Sequence, residues 1–532
     1  MIHETHEEEP LLSKSTVTAT VATMETVQVK SPLRVRVPVV LLTTLFGVGS
    51  WIAINGLWVE LPLLVSLNIP ENYNLASYLT VIIQLANVGP LAFSLTHYFL
   101  MKDKRIEIPT VFIIVTLGCI SSLLLIFFWD RYTVWQVDGK LHSTALLVLA
   151  FFLSIVDCTS SVAFTPFMSL LKSSYLTWYF IGEGLSSLLP SVMALIQGVG
   201  SVECVANGTY INRTTVGNET ILQNCTNWIS RDSPARFPPQ DFFGFLFAMM
   251  LTCGIAFTSL NYLPLAKQEH IYTRPASAST STTGSSTSSE SHTLVTHRTD
   301  KLPPTNPGDE DLSVDVLPVP QENPENTEDG TGSKAPTDYR VLSKRQRVYL
   351  FAVLCFVCSL SNGALPSIQS FSCGPYGLNT YLLASTLANI ANPMAATLVM
   401  LVPSTNLALV GATTLCGTAV GAYCMLTAVL SPTPPLQHEP IGSALIILAW
   451  ITMMGFFIYT RATIAWILRT QPGNRSLLIW YGGVTQIGSL IGSFVMWPLV
   501  NVVNKFQPYY EDVCEGFPRC QVVESNVLYS AL

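Results

Sequence analysis

The feature that most constrains this chain is a repeated one: apolar runs of bilayer length recur almost from end to end. A hydrocarbon core about 30 Å thick takes roughly 20 apolar residues of helix. Such runs fall at 39–67, 77–99, 107–129, 143–171, 175–199, 241–264, 347–371, 378–402, 405–430, 441–468 and 476–503. Inside lipid a segment must satisfy its own backbone polar groups, so each run is a helix. The sequence therefore predicts an all-α polytopic membrane protein of about eleven transmembrane helices. Only 11% of its 532 residues are charged, against about 25% in soluble domains. The net charge of −7 comes mostly from the N-terminal tail and a central loop, and no basic stripe marks a nucleic-acid surface.

Lys30, Arg34 and Arg36 precede the first run. In an eleven-helix count Lys102, Lys104, Arg105, Lys172, Lys267, Lys344, Arg345, Arg347, Arg469 and Arg475 fall on the same side. The positive-inside rule makes that side cytoplasmic, with the N-terminus inside and the C-terminus outside. Residues 1–38 carry no signal-peptide pattern and read as a disordered cytoplasmic N-terminus. Residues 39–264 read as a six-helix bundle and 346–503 as a five-helix bundle. Between them, 265–345 holds a Ser/Thr tract and a Pro-, Asp- and Glu-rich stretch, which cannot bury enough apolar surface to order itself. The loop 200–240 and the tail 504–532 are expected outside.

That loop carries glycosylation sequons at Asn207, Asn212, Asn218 and Asn224. Cys204 and Cys225 bracket them and are expected to pair. Cys373 is expected to pair with Cys514 or Cys520, pinning the tail. Cys355 and Cys358 form a CxxC on an apolar helix and read as packing thiols. No metal site is expected.

The two halves echo each other. Tyr78-Leu79 and Pro90 match Tyr381-Leu382 and Pro393 at the same offset, and Asn55-Gly56 matches Asn362-Gly363. The order is kept along the chain and both halves start on the same side, so the repeat is parallel. Two parallel bundles with a site between them describe a major-facilitator-like carrier.

Polar groups at membrane depth are costly and mark function by default. Helical spacing groups Asn55 with Trp58, Gln84 with Asn87, Asp157 with Ser161 and Phe164, Asn362 with Gln369, and Ser385 with Asn389. Carboxamides both donate and accept, and a tryptophan face suits a planar ligand. Each of these residues also has a packing reading, since Asn, Gln and Ser bridge membrane helices. Glu60, Asp157 and Glu183 are the acids at depth and Arg461 the base; they can carry a proton or form a structural ion pair. No Walker motif, zinc motif, nucleophile elbow, selectivity filter or voltage helix is present, which leaves no enzyme, primary pump or selective channel in the reading.

Trp51-Ile-Ala-Ile-Asn-Gly-Leu-Trp-Val-Glu-Leu-Pro62, Ser77-Tyr-Leu-Thr-Val-Ile-Ile-Gln-Leu-Ala-Asn-Val-Gly-Pro90 and Gly182-Glu-Gly-Leu-Ser186 resemble the signatures of the eukaryotic riboflavin transporter family. Asn362-Gly-Ala-Leu-Pro366, Ala388-Asn-Ile-Ala-Asn-Pro393 and Trp497-Pro-Leu-Val-Asn501 extend the resemblance over about 39–503. It implies a sodium-independent plasma-membrane carrier with riboflavin as cargo and no cofactor. The layout is also similar to the six-plus-five one of equilibrative nucleoside transporters. Under this reading the substrate-binding candidates are Asn55, Trp58, Gln84, Asn87, Asp157, Asn362, Gln369 and Asn389. The rival readings are a carrier of nucleosides or another flat heterocycle, and a non-transporting membrane receptor.

Overall fold

The computed structural model describes residues 36–99, 106–136, 138–172, 174–216, 219–270, 341–401, 404–471, 474–510, 514 and 520–522. Among them ten helices are long and apolar enough to cross a membrane, and one bent pair makes an eleventh. In chain order α1 is Val37–Val48 continued by Ile52–Ser66 after a 53° bend, α2 is Asn72–His97, α3 Glu107–Phe128 and α4 Thr144–Met168. They are followed by α5 Ser174–Gln197, α6 Pro239–Tyr262, α7 Lys344–Tyr376 and α8 Leu378–Val399. The last three are α9 Leu407–Val429, α10 Pro440–Arg469 and α11 Ser476–Asn501. Each coincides with one apolar run of the sequence. The expected N-terminal tail up to residue 35 and the linker residues 271–340 lie outside the described residues.

Helix contacts fall into two related sets. In the first half α1 packs on α5 and α6, α3 on α4 and α6, and α2 on α4. In the second half α7 packs on α11, α8 on α10, and α9 on α10. Adding six to a first-half pair gives a second-half pair, so the parallel repeat is present in the packing, and α6 has no counterpart. Glycine closes the equivalent seam in both halves. A Cβ on Gly182 would collide with the Thr44 carbonyl between α1 and α5, and one on Gly492 with the Ser359 carbonyl between α7 and α11. In lipid, where apolar burial drives little, such close backbone approach is a main source of helix adhesion.

The halves meet along α2–α11, α5–α8 and α1–α8, and α2 also touches the middle of α7. On this seam Thr80 and Ser367 share a hydrogen bond of 2.8 Å, and Asn501 Nδ2 donates to Ser77 Oγ at 2.8 Å. The Tyr78 and Trp497 rings meet edge to face at 6.0 Å.

One face of the bundle carries all the strands. β1 (Thr133–Val134) and β2 (Leu141–His142) join α3 to α4, while β3 (Ser201–Val216) and β4 (Glu219–Ser233) form a hairpin between α5 and α6. β5 (Cys520–Val522), from the C-terminal tail, pairs with β4. Cys204 is bonded to Cys514, which corrects the expected Cys204–Cys225 pair. The ladder explains the difference: Cys204 stands opposite Ser230 and Cys225 opposite Tyr210, so the two are six positions apart along β3. Cys225 is itself disulfide-bonded, and its backbone partner across the sheet is Cys520. Cys373 is a buried free thiol, so its expected bond to a tail cysteine does not form. The tail is pinned, but to the α5–α6 hairpin. Asn207 is exposed at the bulge of that hairpin. Asn218 and the side chains of Asn212 and Asn224 lie outside the described residues.

On its way to Cys514 the tail crosses the seam. Tyr73, in the first turn of α2, donates its hydroxyl to the Tyr509 carbonyl at 2.8 Å, while Phe506 packs on Phe371 of α7 at 5.7 Å. On the opposite face Glu269 clasps three elements of the first half. It accepts from Arg36 at 3.1 Å, Lys172 at 2.7 Å and Tyr175 at 3.1 Å. Burial raises the Glu269 carboxyl, but the hydrogen bonds and charges of Lys172, Tyr175 and Arg36 outweigh it and hold it below the ordinary glutamate value of 4.5.

A group held low in the folded state stabilises above its unfolded value and loses that contribution as pH falls through the folded one. Thermal melts of the detergent-solubilised protein between pH 7 and pH 3 should therefore show an acid-side loss that Glu269→Gln flattens, with a lower melting temperature for the variant at pH 7. Peptide mapping without reductant should recover the Cys204 and Cys514 peptides as one species that separates on reduction.

Candidate functional site

The sequence-predicted residues gather where helices are interrupted. In α1 the interruption lies at Gly49–Trp51, and the second piece starts at Ile52 with no side-chain cap of its own. A helix start leaves backbone N–H groups without partners, and in lipid no water replaces them. Asp157 of α4 supplies the acceptor: Ile54 N–H donates to Asp157 Oδ2 at 2.8 Å, and the Ala53 N–H is a second donor to the same carboxylate. Ser160, one turn on, donates to the Ser50 carbonyl at 2.8 Å on the other side of the break. A carboxylate there also meets the positive end of the helix dipole. Asp157 is thus a cap within the first half. Its neighbours in the expected row part company: Phe164 is buried against Phe46 at 4.2 Å, whereas Ser161 is exposed.

The second interruption is in α2, between Leu85 and Val88. Gln84 and Asn87 sit at it, with Asn87 Nδ2 donating to Gln84 Oε1 at 3.3 Å and Asn87 Oδ1 buried without a partner. The third is in α7, where Leu360–Ala364 form a π turn, with Pro366–Ile368 in a tight turn after it. The Asn-Gly pairs of the repeat are therefore not equivalent. Asn362-Gly363 lies inside the α7 distortion, but Asn55-Gly56 lies in regular helix after the α1 break, with Gly56 against Leu246 of α6.

Asn55 reaches α5, its Nδ2 donating to Ser186 Oγ at 3.4 Å. Trp58 is half-buried on the first-half core. In the second half Asn362 Nδ2 donates to Ser489 Oγ at 3.0 Å, and Arg461 Nη1 donates to Asn362 Oδ1 at 3.1 Å. Asn389 on α8 keeps a buried Nδ2 without an acceptor, and Gln369 is buried in α7. The structure thus joins Asn362 with Arg461, Asn55 with α5, and Gln84 with Asn87.

Of the two readings of the acids at depth, the ion pair with Arg461 is not formed. Among the described residues the ion pairs involve Arg36, Lys172, Arg131 and His142, and none includes Arg461, Glu60, Asp157 or Glu183. Glu60 is buried near the strand-bearing face and accepts from Gln197 Nε2 at 3.1 Å, a partner the sequence analysis missed. Ser186 was also missed, although it closes the Gly182-Glu-Gly-Leu-Ser motif.

The profile of solute carrier family 52, riboflavin transporter, matches residues 35–508. This chain belongs to that family. Solute carrier family 52, riboflavin transporter, member 3-B of Danio rerio is 41% identical over 474 residues, covering 88% of this chain and 96% of the relative. Member 3 of Homo sapiens is 38% identical over 486 residues with the same two coverages. Among solved structures an auto-inhibited POT-family peptide transporter is similar over 88% of this chain and 90% of its own, at 9% identity and a TM-score of 0.47. The riboflavin transporter family is a family of solute carriers and not of enzymes, in agreement with the missing catalytic constellation. All three helix interruptions lie within the matched span.

Removing the α1 cap should destabilise this family member by about 1–2 kcal/mol. Asp157→Ala should lower the melting temperature in detergent, while Asp157→Asn, which keeps an acceptor oxygen, should retain most of it. Equal losses in the two variants would show that the capping bond is not what Asp157 contributes.

Proposed function

We propose that this chain carries riboflavin across the plasma membrane into the cell by alternating access of its two halves. The observation that carries the proposal is the match of the riboflavin transporter profile to residues 35–508, taken with a site whose chemistry suits the cargo. Isoalloxazine is flat and needs an aromatic face, and stacking on one is worth about 1–3 kcal/mol by analogy with nucleobases. Trp58, half-buried on α1, is the stacking residue of this reading. The dione edge needs amide and guanidinium donors, for which Arg461 and Asn389 stand in the second half. The ribityl hydroxyls need acceptors, and Asn87 Oδ1 in the first half is one.

In this reading the strand-bearing face is extracellular and carries glycans, the first on the exposed Asn207, while the Glu269 face is cytoplasmic. Riboflavin is cargo, and no cofactor is required. Interrupted helices let backbone and side chains face a cavity at depth without exposing unsatisfied groups to lipid.

Cells expressing the chain should take up radiolabelled riboflavin saturably, and excess nucleoside should not compete. Trp58→Ala should raise the apparent KM about tenfold, and Trp129→Ala should not. Absence of saturable uptake sinks the function; inhibition by nucleosides moves the cargo to another flat heterocycle.

A further inference from the structure

Arg461 is a cation at membrane depth with no carboxylate partner among the described residues. It lies eight residues before the end of α10 at Arg469, about 12 Å along the helix axis. The groups around its side chain are Asn362, Tyr481 and Cys358. A guanidinium has five N–H donors and no acceptor. One donor is fixed on Asn362 Oδ1 at 3.1 Å and another meets the Tyr481 hydroxyl, which leaves the rest of the fork for a ligand. An arginine left without a counter-charge in such surroundings is costly, and in membrane proteins this arrangement marks a working site.

Asn362 itself is engaged at both ends. Its Oδ1 also accepts from Ser361 Oγ at 3.2 Å, and its Nδ2 donates to Ser489 at 3.0 Å. A residue engaged at both ends holds its neighbour in place. Asn362 sits in the α7 π turn, the part of α7 that α2 of the other half touches, so the guanidinium is held beside the seam. On α8, which packs against α10 and also against α1 and α5, Asn389 Nδ2 is a second buried donor without an acceptor. The Arg461 guanidinium and the Asn389 amide nitrogen are both donors. A ligand edge that meets these two groups together is an edge of acceptors.

We infer that Arg461, positioned by Asn362, is the specificity residue that binds the carbonyl oxygens of the cargo's pyrimidinedione edge, with Asn389 as the accompanying donor. The inference rests on the riboflavin reading above and deepens it. A planar fork of donors fits two in-plane acceptors of a ring edge, whereas a flexible polyol offers no fixed pair for it. The ring edge then belongs to the second half while its face stacks on Trp58 of the first. The cargo joins both bundles through one rigid plane.

The test is radiolabelled riboflavin uptake in cells expressing the full chain, normalised to carrier at the surface. Lumiflavin serves as competitor, since it keeps the dione and lacks the ribityl chain. Arg461→Gln should raise KM about tenfold or more, with the maximal rate per surface carrier within about twofold. It should weaken inhibition by lumiflavin by the same factor. Arg461→Lys keeps the charge and loses the fork, and should fall between. Unchanged KM in Arg461→Gln overturns the inference, and so does a raised KM with lumiflavin inhibition intact, which would assign Arg461 to the polyol. If the glutamine variant does not reach the surface, Arg461→Lys and Asn389→Ala give the same comparison. Uptake missing in the wild type would sink the cargo assignment; normal wild-type uptake with unaffected variants sinks only this inference.

Discussion

In hydrocarbon an unpaired backbone N–H costs several kcal/mol, and this constraint governs where the chain can depart from regular helix. Among the described residues the protein departs three times, in α1, α2 and α7, and in α2 Asn87 Nδ2 donates to the Gln84 carbonyl at 3.2 Å. The α1 break is bridged from α4 by Asp157 and Ser160, one accepting from the new helix start and the other donating to the carbonyl left behind. In α7 the ladder is carried through by a π turn, with Leu365 N–H reaching the Leu360 carbonyl at 3.0 Å. The helix bends where a neighbour can answer for it. A buried acid that looks ready for proton transport is, in the case of Asp157, engaged in holding the scaffold that places Trp58 and Asn55.

The same logic separates the two halves of the repeat. Their packing corresponds pair by pair, down to glycines that let α1 meet α5 and α7 meet α11. Their chemistry does not correspond. The first half carries Glu60, Asp157 and Glu183 at depth, and the second carries Arg461. An asymmetric cargo with a flat face, an acceptor-rich edge and a hydroxylated tail suits a site whose walls differ. Internal duplication explains the architecture, and the two halves diverge at a few depth positions.

Much of this was legible in the sequence. Helix number and order follow from runs of bilayer length, and the repeat from a handful of offsets that the packing reproduces. Most residues singled out for polarity at depth sit at or beside the interruptions. What the sequence could not tell was which neighbour each polar group would meet. Spacing put Asp157 and Phe164 on one face, yet one caps α1 and the other stacks on Phe46, because a face of α4 touches several helices along its length. Proximity along the loop pointed to Cys204 with Cys225. Strand pairing between segments some 300 residues apart decided otherwise, and only the fold makes that pairing local.

That disulfide has a topological consequence. The halves are joined once by the backbone, through residues 271–340, and again by Cys204–Cys514 on the strand-bearing face, at a sequence separation of 310. The second half is therefore part of a closed covalent ring. A protease that cut between residues 271 and 340 would leave one molecule. Separation is not permitted: the carrier is a closed loop of covalent bonds, not a string of two beads.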